Sequence, residues 1–324
     1  MEASIEGLAR AQAKAGMDVV VASLRGHCGE AHGVRRVQLG RRGPRRYPFA
    51  AGLEPWLAGA DVVHVHGLDG LADQVVGRHP AVGISTHGGF LHTSRHRVAK
   101  GVWLRMWTQR TLRAAGAVWF SSASDREALG GGVPGEILGD GVEPEAQGPW
   151  SPVPGRWVVP GRVDVHKGLD DLFDLLRASS LRHRVAEVRV VGPEAHPGLV
   201  AALRVRAEGL PVCFTGTVDR STWQAEMLSA EVAVFPSRHE GFGIAAVEAM
   251  AWGVPVVLAD IPAFREHLGA AGVDVRGGDV AAFMEALRMA PGQVPARQRR
   301  AEPHHWTRVA ARYRNAYGRL RGMA

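Results

Sequence analysis

The sequence predicts an α/β protein built from two Rossmann-like domains. Through most of the 324 residues, short runs rich in Val and Ile alternate with segments of helical period, which is the pattern of parallel βα units. A Pro- and Gly-rich stretch from Gly139 to Gly155 divides them and reads as a linker. The length also suits two domains, each able to bury its own apolar core without disulfides or metal.

Taken in order, the first element is a helix, Ser4 to Ala15, leading into a strand at Asp18 to Ala22. A doubly wound domain normally opens on a strand and a Gly-rich turn, so the N-terminal domain is expected to lack its first strand, through a misassigned start codon or a native absence. Further strands are expected at Val62 to Val65, Val82 to Thr86, Ala117 to Ser121, Trp157 to Pro160, Glu187 to Val191, Val212 to Thr215, Val232 to Phe235 and Val254 to Leu258. Amphipathic stretches at Leu169 to Arg177, Leu199 to Arg206 and Gly243 to Trp252 are expected helices. The expected division is an N-terminal domain over 1–141, a second domain over 142–303, and a final helix over 304–324.

Composition is 46% hydrophobic and 22% charged, as in ordinary globular proteins. The two cysteines, Cys28 and Cys213, offer no CxxC spacing, so neither a disulfide framework nor a zinc site is expected and a reducing cytoplasm is. Acids at Glu2 and Glu6 stand where a signal peptide needs basic residues. The longest apolar candidate, Ile244 to Ala259, is broken by Glu248, Gly253 and Pro255, so no transmembrane span is expected. The net charge of +7 is uneven: Gln74 to Ser124 holds no Asp or Glu but seven Lys or Arg. Such a face can meet a nucleic acid, an anionic membrane or a phosphorylated substrate, and for any single patch a solvated surface is the plainer reading. No aromatic stacking sheet or helix-turn-helix pattern accompanies the charge, so a nucleic-acid partner is not expected.

Three stretches carry chemistry. Ser237-Arg238-His239-Glu240-Gly241-Phe242-Gly243-Ile244 follows an apolar strand and leads into a helix that carries Glu248. The glycines let the backbone approach a ligand, and the free amides at the helix start favour an anion or a sugar oxygen. Glu240 in that turn can accept hydrogen bonds from sugar hydroxyls, and Glu248, one turn inside the helix, can take a ribose diol. Either carboxylate alone reads more simply as a solvated or helix-start acid; the combination of strand, Gly turn and paired acids does not.

The second stretch is Gly161-Arg162-Val163-Asp164-Val165-His166-Lys167-Gly168, at the end of the strand Trp157 to Pro160. The chain writes its surface charge as arginine, with only Lys14, Lys100 and Lys167 as lysines, so a lysine on this turn stands out. Arg162 and Lys167 beside a helix start form a clamp for a diphosphate, whose charge grows as a glycosidic bond breaks. A surface pair beside a turn is the plainer alternative. The third stretch is Thr86-His87-Gly88-Gly89, after the strand Val82 to Ile84, where His87 can point into a cleft and hydrogen-bond a sugar hydroxyl or phosphate. His64 and His66, alternating on their strand, read as packed or solvated rather than catalytic.

These residues resemble glycosyltransferase family 4, most strongly from Val158 to Val275. The Glu-x7-Glu pair at Glu240 and Glu248, the Gly-Arg…Lys-Gly stretch at Arg162 and Lys167, and Pro255-Val256-Val257 all match. The resemblance implies a GT-B fold, two Rossmann-like domains facing across a cleft, with the acceptor side in 1–141 and the donor side in 142–303. It implies that Arg162 and Lys167 bind the donor diphosphate and that Glu240, Gly241, Phe242, Gly243 and Ile244 bind the donor sugar. Glu248 then binds the ribose, His87 acts at the reacting centre, and Gly88 and Gly89 line the acceptor side. His166 stands where members often carry Glu or Gln, and Asp140-Gly141-Val142-Glu143 replaces Asn-Gly-Val-Asp. The Arg-rich tail from Arg297 to Arg321 resembles the family's last helix, which crosses back to the N-terminal domain.

The implied reaction moves a hexose from a nucleotide-diphosphate sugar to a saccharide or polyprenyl-linked acceptor with retention of configuration. The His87 region resembles exopolysaccharide mannosyltransferases, which puts GDP-mannose ahead of UDP-glucose. No Asp-x-Asp triplet is present, so neither a metal nor another cofactor is expected and protein cations stabilise the leaving group. The stretch Val98 to Leu112 places Val102, Trp103, Met106 and Trp107 near one face with basic residues around it. That pattern suits an anionic membrane surface at the inner face of the membrane, or equally a helix packed on its own sheet. Two other functions fit the same residues: a nucleotide-sugar epimerase or hydrolase of the same fold, and an inactive binding protein.

Overall fold

The computed structural model describes residues 2–26, 28–44, 48–87, 108–129, 132–269 and 272–323. Gly88, Gly89 and the 98–107 portion of the amphipathic stretch lie outside them. The chain forms two compact units, one of residues 1–141 with 304–324 and one of 142–303.

The first unit opens on a helix, α1 (Glu2–Lys14), as the sequence pattern predicts. Its strands are β1 (Val19–Ser23), β2 (Gly29–Ala31), β3 (Val34–Gln38), β4 (Gly40–Arg42), β5 (Phe49–Ala51), β6 (Val63–His66), β7 (Val82–Ser85), β8 (Ala117–Phe120) and β9 (Glu136–Ile137). They fall into three sheets: β1-β3-β2, the hairpin β4-β5, and the parallel β6-β7-β8-β9. A doubly wound order 3-2-1-4 sets one strand between the positions that β1 and β6 occupy. Here β1 and β6 are edges of separate sheets, and both are only half-buried along most of their length.

The C-terminal helix, Trp306–Met323, belongs to this unit and buries Trp306, Val309, Ala310, Tyr313, Ala316, Tyr317 and Leu320. The spacing is that of one helical face. Glycines make the seat for its indole, since a Cβ at Gly7 or Gly141 would overlap the Trp306 ring.

The second unit is one continuous parallel sheet in the order β12-β11-β10-β13-β14, from β10 (Val153–Pro160), β11 (Glu187–Val191), β12 (Val212–Gly216), β13 (Ala230–Phe235) and β14 (Val256–Leu258). β13, β14 and the second half of β10 read as apolar runs because both faces of a parallel sheet are covered there. The helices that matter for the site are α2 (Leu169–Leu176), α3 (Leu199–Arg206), α4 (Arg220–Leu228) and α5 (Ile244–Ala251). β10 begins at Val153, inside the stretch read as linker, because its exposed first residues carry no apolar signal of their own. β10 and β13 are neighbours, with Trp157 opposite Val232, so the turns that leave their C-terminal ends lie side by side.

Candidate functional site

The turn after β10 is shaped by two glycines in the left-handed region, Gly161 at φ 124° and Gly168 at φ 65°. Between them the Asp164 carboxylate accepts from the Val165 amide at 2.7 Å and starts a 3-10 turn over Val165–Lys167. Gly168 cannot be another residue, since a Cβ there would run into the carbonyl oxygen of Pro236, just past β13. The two turns therefore touch through backbone. Arg238 fastens them: its amide donates to the His166 carbonyl at 2.8 Å, and its guanidinium donates to Asp171 (2.7 Å from both Nε and Nη2) and to Asp170 (2.7 Å) at the start of α2. These carboxylates hold the Arg238 pKa above its ordinary value, chiefly through the hydrogen bonds to Asp171.

This bracing brings two of the predicted residues into direct contact. Lys167 Nζ lies 2.7 Å from Glu240 Oε1, which also accepts from Ser237 Oγ at 2.7 Å. The side chains are 18% and 11% exposed, so water screens the pair little and removing one partner would strand the other, at about 3–5 kcal/mol. Burial alone would push the Glu240 carboxyl up. The charge and hydrogen bond of Lys167, with the Ser237 hydroxyl, outweigh it and hold Glu240 below the usual glutamate range. His166 beside them is pushed below the ordinary histidine value, first by burial and then by the Lys167 charge.

Glu240 leads through Gly241 and the buried Phe242 to Gly243, at φ 89°, where a Cβ would press 2.6 Å from the Phe264 ring. Ile244 then begins α5; the Ala246 and Val247 amides donate to the Gly243 carbonyl, and the amides of Ile244 and Ala245 precede the first bond of the helix and face this turn. Arg162 is exposed at the end of β10, and its charge reaches His166. Glu248 is buried on α5 and belongs to a second cluster: it accepts from Arg220 Nη2 at 2.6 Å and from Trp223 Nε1 at 3.2 Å. Lys167 and Glu240 are thus brought together, while Glu248 has its own cation one helix away.

In the first unit His87 sits at φ 48°, a left-handed conformation uncommon for a side-chain-bearing residue. Its Nδ1 lies 3.2 Å from Asp140 Oδ1, and its Nε2 lies 2.8 Å from His66 Nδ1. Burial would raise the Asp140 carboxyl, but the charge and hydrogen bond of His87 hold it below the usual aspartate range. An ionised Asp140 only accepts, so His87 Nδ1 donates to it, and His87 Nε2 shares a proton with His66 Nδ1 on its other side. His87, expected from the sequence to hydrogen-bond a sugar hydroxyl or phosphate, has a partner within the unit on each ring nitrogen. His64 binds Tyr317 and Ser85 at 2.7 Å each, and Ser85 binds Tyr313 at 2.9 Å. Burial holds His64 and His66 well below the ordinary histidine pKa, so both are neutral.

Sequence reasoning missed Arg238, Asp170, Asp171, Arg220 and Trp223. Arg238 does lie inside the Ser237–Ile244 stretch, two residues before Glu240, but only the fold shows that it reaches α2. Among the described residues no group of three or more His, Cys, Asp or Glu side chains is arranged to hold a metal ion.

Comparison with known proteins bears on these loops. Residues 155–290 match the family described as Glycosyl transferases group 1, and residues 1–146 match Glycosyltransferase Family 4. The chain is 34% identical over 72% of its length to a GDP-mannose:cellobiosyl-diphosphopolyprenol alpha-mannosyltransferase of Xanthomonas campestris, spanning 64% of that relative. It is 30% identical, over its whole length and 90% of the relative, to the enzyme of the same name from Komagataeibacter xylinus. The chain belongs to glycosyltransferase family 4. Its structure is similar to a sucrose-phosphate synthase from Thermosynechococcus elongatus, with a TM-score of 0.75 at 17% identity over 99% of this chain and 93% of that one, so this family 4 chain has the GT-B fold. The segment matched to group 1 holds both turns and the Glu248 cluster; the segment matched to family 4 holds His66, His87 and Asp140.

Proposed function

We propose that this family 4 chain is a retaining glycosyltransferase that moves mannose from GDP-mannose to a polyprenyl-diphosphate-linked saccharide. The donor and acceptor follow the names of the relatives from X. campestris and K. xylinus. The observation that carries the reading is the Lys167–Glu240 contact, 2.7 Å across two braced turns at the C-terminal edge of a parallel sheet. In such sheets ligands bind outside the carboxyl ends of the strands.

The chemistry follows from the groups. Lys167 has three N–H donors and spends one on Glu240, so the others are available to a diphosphate, with Arg162 as a second cation. Glu240 keeps lone pairs for sugar hydroxyls, and the α5 amides meet sugar or phosphate oxygens. Negative charge on the diphosphate grows as the bond to the anomeric carbon breaks, so the two cations act most strongly in the transition state. Transfer is front-face: the acceptor oxygen bonds to the anomeric carbon as the phosphate oxygen leaves and takes the acceptor proton. His87, held by Asp140 and His66, contributes a fixed ring on the acceptor side. The reaction is independent of divalent metal.

No helix among the described residues is long and apolar enough to cross a membrane. A lipid-linked acceptor places the enzyme in the cytoplasm at the inner face of the membrane, as a peripheral protein. The test is to incubate purified protein with GDP-mannose or UDP-glucose and a polyprenyl-diphosphate-linked disaccharide, reading product by mass and anomeric configuration. The expected outcome is an α-mannosylated product from GDP-mannose alone, with no consumption when acceptor is omitted. Donor hydrolysis or epimerisation without acceptor would overturn the reading.

A further inference from the structure

The Glu248 cluster is more elaborate than one carboxylate on a helix requires. Arg220 and Trp223 are three apart on α4 and so share a face, and Asp219 fixes the start of that helix by accepting from the Thr222 amide at 2.7 Å. Each of the two side chains takes a different oxygen of Glu248: Arg220 Nη2 donates to Oε1 and Trp223 Nε1 to Oε2. The Arg220 guanidinium lies 5.3 Å from the centre of the Trp252 ring, and Trp252 is itself fixed by donating to the Glu143 carbonyl at 3.1 Å. Arg220 is half-exposed while Glu248 is 9% exposed. The cluster therefore joins a cation with one side in water to a carboxylate that is largely covered.

A carboxylate oxygen has two lone-pair directions. With one on each oxygen filled from α4, each oxygen keeps room for one more donor. We propose that Arg220 and Trp223 are positioning residues that hold Glu248 with one free acceptor on each oxygen, so that the cluster selects a vicinal diol, the ribose of a nucleoside diphosphate, over its 2′-deoxy form. The inference rests on the donor site proposed above. Trp223 fixes the plane of the carboxylate through a single rigid donor. Arg220 offsets its charge and is held to one side by its contact with the Trp252 ring.

The experiment is titration calorimetry of the full chain with GDP and with 2′-deoxy-GDP, in wild type and in Trp223→Phe, Arg220→Lys, Arg220→Ala and Glu248→Gln, with thermal midpoints to confirm folding. Trp223→Phe keeps the ring and removes one donor. Wild type is expected to favour GDP by roughly tenfold, the worth of the one hydrogen bond to a charged acceptor that the missing hydroxyl would have made. Trp223→Phe and Arg220→Ala are expected to lower that ratio about fivefold, mostly by weakening GDP, with Arg220→Lys recovering part of it. In transfer assays the loss falls on KM for the donor more than on kcat, which a general packing defect would not arrange. If Glu248→Gln loses the preference while Trp223→Phe and Arg220→Ala keep the wild-type ratio, Glu248 reads the ribose unaided and the proposal is wrong, though the donor site stands. If Glu248→Gln also keeps the ratio, or wild type binds neither nucleotide, the donor-site reading falls and takes this inference with it.

Discussion

The two units solve the same problem with different materials. The C-terminal unit pairs five parallel strands into one sheet over a single large core, and Lys167, Glu240 and Arg238 meet at its strand ends. The N-terminal unit has sheets of three, two and four strands and two smaller clusters of buried side chains. It carries polar groups on the strands themselves: His64, His66 and Ser85 are satisfied by tyrosines of the C-terminal helix and by His87. The difference separates two kinds of stability. One unit rests on apolar burial, which pH hardly touches; the other rests on a hydrogen-bond chain whose histidines must stay neutral.

The largest expected effect falls on the contact at the strand ends. Lys167→Ala and Glu240→Ala should each lower mannosyl transfer on the order of 10³-fold, as loss of one preorganised charge at a reacting centre does, while circular dichroism shows an unchanged fold. Near wild-type rates in either variant would mean that the pair is merely structural.

Next comes the backbone contact that makes the pair. Gly168→Ala adds a Cβ that overlaps Pro236 at a φ of 65° and should destabilise the C-terminal unit by about 2–4 kcal/mol. Gly209→Ala, at φ 75° with open space around it, should cost only about 1 kcal/mol. Urea midpoints compare the two, and equal shifts would show that the turns do not depend on close approach.

The pH response should then separate the units. His64 and His66 titrate below the ordinary value of 6.5 in the folded chain, so below 6.5 the unfolded chain binds protons that the folded one refuses. Stability contributed by their burial is full above 6.5 and falls with pH below it, by up to about 1.4 kcal/mol per pH unit for each. His166, less depressed, adds a smaller effect of the same sign in the C-terminal unit. Glu240 works in another window: its stabilisation is full above 4.5 and is lost as pH falls through its lowered value. Hydrogen exchange between pH 6.5 and 5 should therefore show β6 and β7 opening well before β10 and β13, and uniform loss of protection would contradict the comparison. The smallest effect expected is from a chelator, since Lys167 and Arg162 carry the charge: excess EDTA should leave the transfer rate within about twofold.

How much of this was legible follows the same division. In the C-terminal unit the run Val232 to Phe235 is apolar and buried along its length and marks β13 directly, while Glu187 to Val191 marks β11 by alternation, its valines buried and Glu187 and Arg189 half-buried. The N-terminal strands β2, β4 and β5 are three residues each, two of them fully exposed and rich in Gly and Arg, so nothing in their pattern distinguishes them from loop. The fold class and the Lys167 and Glu240 turns could be read because glycines and charges at strand ends have few uses. Arg238, on a turn, and Arg220 and Trp223, on α4, could not, because nothing in the local pattern signals that they reach α2 and α5. His64 and His66 read from the sequence as packed or solvated rather than catalytic, but their chain through Ser85 to Tyr313 and Tyr317 joins segments more than two hundred residues apart.

The central claim is that the braced turns of the C-terminal unit hold the diphosphate-linked sugar. Calorimetric titration of GDP-mannose into wild type and Lys167→Ala tests it most directly. A binding isotherm in wild type that weakens about a hundredfold in the variant is the predicted result, being the loss of about 3 kcal/mol of charge-assisted contact. Equal affinity in the two proteins would contradict it, because the donor would then be bound without the one lysine that the fold brings to Glu240.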